Sequence, residues 1–121
     1  MKVSIAQVDG DMVAVRTALG ELRARWCGAP PRAGDDAHVE LDLDLDEVDI
    51  APADGPARVR CDGDDAIVLC AQIEAVDEDA VCLRMAPDAL LLVAAHAALQ
   101  APGWVRIRAP VAALRLTPFT I

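Results

Sequence analysis

The sequence predicts an α+β domain: a mainly antiparallel sheet of about 6–7 strands with two helices packed on it. Three observations lead there. Short apolar runs that alternate with polar residues recur along the chain, joined by tight turns rich in Gly, Pro and Asp. Two longer segments, 12–26 and 89–100, carry apolar residues at helical spacing or on every side. The chain, at 121 residues, has the length of one domain, 1–121.

The elements follow in the order β-α-β-β-β-β-α-β-β. KVSIAQV, 2–8, reads as a strand with Val3 and Ile5 on one face. Asp11 is placed to cap a helix over 12–26, where Met12, Val15, Leu19, Leu22 and Trp26 recur at spacings of three and four. Gly20 weakens that helix. Residues 27–37 are a loop by their Pro, Gly and Asp content. His38 to Ile50, HVELDLDLDEVDI, alternates apolar and acidic residues with period two, the strongest strand signal in the chain. Its parity slips at Asp46-Glu47, which predicts a β-bulge there. Short strands follow at 58–61, 66–76 and 80–85, separated by D-G and acidic turns. A second helix is expected at 89–100, ALLLVAAHAALQ, ending before Pro102-Gly103. Strands at 104–108 and 111–119 close the chain.

The net charge is −9, which opposes binding to a phosphate backbone. Trp26, Trp104 and Phe119 are the only aromatics besides histidine, so stacking platforms for bases are scarce. The charge is segregated. Residues 35–88 hold 17 acids and 3 arginines, whereas 1–34 carry a net +2 and 89–121 a net +3. The N-terminal MKVSIAQVDGD is not a signal peptide, and the apolar run 89–99 is too short to span a bilayer. Cysteines 27, 61, 70 and 82 are then expected as reduced thiols in a soluble cytoplasmic protein.

The acidic stretch poses the functional question. Glu40, Asp42, Asp44 and Asp46 alternate with leucines. Same-face residues of a strand lie about 6.7 Å apart, so four in a line cannot converge on one metal ion. Two uses remain. The carboxylates pair internally, with Arg106, Arg108 and Arg115 as partners, or they stay open and receive a basic partner. A hairpin joining 47–50 to 57–60 would also set Glu47 against Arg60 and Asp49 against Arg58.

Catalytic and cofactor signatures are absent from the sequence. Ser4 is the only serine and lies in no nucleophile-elbow motif. His38 and His96 are the only histidines, and Cys70 and Cys82 sit in apolar runs. The cysteine spacing matches no zinc module, and no glycine-rich phosphate loop occurs. No cofactor and no metal are expected.

The expected function is that of a non-enzymatic acidic interaction protein. Glu40, Asp42, Asp44 and Asp46 would meet a protein partner with a basic surface. Nucleic acid and membrane are not expected partners. In composition alone the chain is similar to immunity proteins that neutralise basic toxins and to secretion chaperones. The alternative is a small accessory enzyme or ligand-binding domain with a pocket between sheet and helices, using Cys or carboxylate chemistry. A helix at 89–100 that is apolar nearly all round would need covering, and a homodimer would cover it.

Overall fold

Eleven strands, and no α-helix among the described residues, make up the computed structural model, which describes residues 1–120. In chain order they are β1 (Lys2–Asp9), β2 (Met12–Thr17), β3 (Gly20–Trp26), β4 (Asp36–Leu43), β5 (Asp49–Ala53) and β6 (Arg58–Asp62). Then come β7 (Ala66–Val76), β8 (Ala80–Ala86), β9 (Ala89–Ala94), β10 (Gly103–Pro110) and β11 (Leu114–Phe119). A single 3-10 turn, Val111–Ala113, precedes the last strand. The α+β expectation is therefore corrected to an all-β fold. No helix here is long and apolar enough to cross a membrane.

Both expected helices are strands. Over 12–26 the chain forms the β2–β3 hairpin, with Val15 opposite Leu22 and Val13 opposite Ala24. Val13 and Val15 point inward, then Leu22, Ala24 and Trp26, each set with period two. The apparent helical stripe arose because the turn shifts the parity between two alternating runs. β-branched Val13, Val15 and Thr17 favour extended backbone, and the turn is built locally. The Thr17 hydroxyl donates to Gly20 O at 2.9 Å and accepts from Leu19 N–H at 3.0 Å. Gly20 adopts φ 135°, and a Cβ there would collide with the carbonyl oxygen of Val59. Over 89–100, β9 takes the first half and buries Ala89, Leu91 and Val93, while the chain beyond it leaves the sheet and plugs Leu99 into the core. β8 supplies the hydrogen bonds that a helix would have made internally, with Leu83 opposite Leu91.

The strand pairings describe two joined parts. β1, β2, β3, β11 and β4 close on one another as a five-stranded barrel, because β1 pairs with both β2 and β4. The second part continues outward from β4 through β9, β8, β7 and β10 to β5, with β6 also paired to β7. Most pairings are antiparallel, but β3–β11 and β4–β9 are parallel. One apolar cluster runs through both parts, from Val3, Val15 and Leu22 to Leu69, Leu83 and Ile107. Full burial of each such side chain contributes on the order of 1.5–3 kcal/mol.

The expected bulge at Asp46-Glu47 is instead a turn. β4 ends at Leu43, and the Asp44 carboxylate accepts from Asp46 N–H at 3.0 Å. Glu47 takes a left-handed φ of 59°, and β5 departs to pair with β10. The parity slip thus marks a change of sheet partner. It also undoes the expected 47–60 hairpin: Asp49 lies opposite Arg108, and Arg58 and Arg60 lie on β6 against β7.

Candidate functional site

β4 is the strand where barrel and outer sheet meet. β11 covers one of its edges from His38 to Leu43. The other edge is shared, with β1 paired at residues 36–38 and β9 at Leu41 and Asp42. Alternation then fixes the faces. Val39, Leu41 and Leu43 are buried, and Glu40 and Asp42 face out.

The four expected site residues are not one ladder. Glu40 and Asp42 stand on the strand, whereas Asp44 and Asp46 lie in the exposed turn after it. Of the three expected arginine partners, only Arg115 arrives. It sits opposite Asp42 in register and binds its carboxylate at 2.5 Å. Arg108 pairs with Asp62 at 2.8 Å instead. Arg106 forms no ion pair among the described residues. Glu40, Asp44 and Asp46 likewise have no cation within ion-pair distance among those residues.

The neighbouring strand carries what the sequence reading missed. In the parallel register Leu92 lies beside Asp42, and both face outward. Leu92 is 60% exposed and Leu90 42%, and Phe119 on β11 is 44% exposed. Phe119 stands opposite His38, their ring centroids 6.1 Å apart. Where β1 and β9 diverge along the edge of β4, a depression of about 330 Å³ opens. Buried Met1, Val39 and Leu41 floor it, Leu90, Leu92 and Phe119 flank it, and Glu40 and Asp88 add charge to its lining. The legible signal was Leu90-Leu91-Leu92. In a strand, three consecutive leucines must leave one on the opposite face from the other two.

A larger depression, about 590 Å³, lies over the outer face of β1–β3 beneath the β6–β7 turn. Its charged groups are engaged with each other or with that turn. Arg16 meets Glu21 at 3.3 Å, and Arg23 meets Asp64 at 3.5 Å. Cys61 lines it and donates to Glu21 O at 3.8 Å. No histidine lines it, so this cleft lacks a thiol–imidazole pair. The expected pocket between sheet and helices has no counterpart, because the helices are absent.

Two structural ion pairs perturb the ionisation of Asp62, Arg108 and Arg84. The Arg108 hydrogen bond holds the Asp62 carboxyl below its usual range, partial burial opposes it, and the charges of Arg108 and Arg60 assist. Arg108 is raised in turn, chiefly by the same bond. Glu74 raises Arg84 through a 2.8 Å hydrogen bond. Ser4 donates to Asp36 at 2.8 Å, and His96 Nδ1 accepts from Ala98 N–H at 3.0 Å. Among the described residues no group of three or more His, Cys, Asp or Glu is arranged to hold a metal ion.

No family model matches this chain, and comparison with curated proteins and with solved structures finds no match.

Proposed function

We propose that the chain is a non-enzymatic, acidic interaction protein that docks a protein partner with a basic surface, as an immunity protein or a chaperone-like adaptor does. One observation carries this reading: the carboxylates of Glu40 and Asp88, without an arginine or lysine partner among the described residues, line one depression beside β4 together with exposed Leu90, Leu92 and Phe119. Elsewhere Asp11, Glu21, Asp62, Asp64 and Glu74 are matched by arginines, while acids such as Asp77 and Asp79 have no ion pair among the described residues, so the distinguishing feature is the company of Leu90, Leu92 and Phe119. Apolar patches rimmed by polar residues mark interaction sites, and like charges at the rim steer a partner of opposite sign. The four free cysteines fit a reducing compartment, so we place the protein in the cytoplasm.

Nucleic acid fits this surface poorly. Small five-stranded Greek-key barrels can seat oligonucleotides on the face over their second and third strands. Here that face carries Arg16, Arg23 and Arg25, each held by an acid, and no aromatic side chain.

The test uses lysozyme as a basic probe protein, with affinity measured by calorimetry at low and at physiological ionic strength. Glu40→Gln with Asp46→Asn is expected to weaken binding about threefold or more. Asp77→Asn with Asp79→Asn makes the same change of net charge at the β7–β8 turn and is expected to leave binding unchanged. Equal weakening by both pairs means that only total charge matters, which overturns the reading.

A further inference from the structure

We infer that the depression at the fork of β4 seats an aliphatic anchor from the partner, a leucine-type side chain flanked by lysine or arginine. This rests on the docking surface proposed above and names what that surface selects.

The size of the depression argues for a side chain. At about 330 Å³ it lies at the bottom of the range that holds compact ligands, roughly 300–1,000 Å³. That is room for one or two side chains. Its floor is apolar and its flanks are Leu90, Leu92 and Phe119, so the group that fills it is apolar too. Binding energy at such sites comes from a central apolar anchor, while rim charges set orientation and encounter rate.

The backbone argues against an added strand. Val39 N–H donates to Met1 O at 2.9 Å, and Leu41 and Asp42 are already paired with β9. The β4 edge is therefore occupied, and a partner cannot extend the sheet there. It must enter by side chain.

The charges argue against a second copy. In a twofold dimer a surface meets itself. Glu40 and Asp88 of one chain would then face the same carboxylates of the other, around an apolar contact. A cationic flank on the incoming segment relieves that repulsion. The earlier ground for a homodimer, an apolar helix at 89–100, has gone with the helix.

The experiment measures fluorescence anisotropy of two labelled probe peptides on the full chain. Both carry the same arginines, one around a leucine pair and the other around a serine pair. The leucine peptide is expected to bind about tenfold tighter or more. Leu90→Ser with Leu92→Ser is expected to erase that preference and leave the serine peptide's affinity unchanged. Both side chains are exposed, and an unaltered thermal melt shows that the variant folds. Equal affinity of the two peptides for the native chain overturns the anchor and leaves the basic-partner reading standing. Absence of binding by either peptide overturns both. A dimer in light scattering that Leu92→Ser dissociates makes a second copy the occupant and overturns the inference as well.

Discussion

The outer face over β2 and β3 and the outer face over β4 and β9 are built from the same alternating strands, yet they finish differently. On the first, Arg16, Arg23 and Arg25 each meet an acid, and the β6–β7 turn folds down over the face to supply one of them, Asp64. On the second, Asp42 alone is matched, by Arg115, while Glu40, Leu90, Leu92 and Phe119 stand in the open. The first surface matches its arginines with its own acids. The second leaves Glu40 without an ion pair among the described residues and its leucines without a cover, which is why it is read as a docking surface.

The comparison can be broken at its seams, beginning with the largest effect. Gly20→Ala forces a side chain into the Val59 carbonyl and a left-handed backbone, where β3 approaches β6. Urea unfolding is expected to show a loss of about 3–5 kcal/mol. A loss under about 1 kcal/mol would mean that the barrel and the β6–β7 hairpin adjust independently. Next come two adjacent leucines on opposite faces of β9. Leu91→Ala removes a fully buried side chain and is expected to cost about 3 kcal/mol. Leu92→Ala is expected to stay within about 0.5 kcal/mol by the same assay, because its side chain is mostly solvated. Similar costs at both positions would contradict the assigned faces.

The smallest effect is electrostatic. Asp62 has a folded pKa below its unfolded value near 3.8. Its contribution to stability is therefore complete above that value and lost as pH falls below it. NMR titration of Arg108→Gln is expected to move the Asp62 carboxyl up toward the ordinary range. An unmoved titration would contradict the 2.8 Å pairing. The pair is solvated, so neutral-pH stability should barely change.

Local alternation was legible in the sequence where it was unambiguous. His38 to Leu43 reads as a strand with Val39, Leu41 and Leu43 inward, and it is one. The runs at 58–61, 66–76 and 80–85 also fall within strands. Segments 12–26 and 89–100 were misread because two period-two runs offset by a turn imitate a 3.6-residue stripe, and because Ala-Leu runs fit either element. Thr17 and Gly20 carried the missing signal, a side-chain-closed turn followed by a backbone that only glycine adopts easily. Barrel closure was not legible at all. It joins β3 to β11 across most of the chain and brings β1 back to β4, and no local pattern encodes which distant strand arrives. The site was half legible for the same reason. The carboxylates of β4 announce themselves, but Leu92 becomes their neighbour only through a long-range parallel pairing.

The most direct test of the β4–β9 face is a map of amide chemical shifts during titration with the arginine–leucine probe peptide. Shifts are expected to concentrate at Glu40, Asp42, Asp88, Leu90, Leu92 and Phe119, with little change at Arg16, Arg23 and Arg25. Shifts centred on β2 and β3, or spread evenly over the acidic turns, would contradict docking on that face.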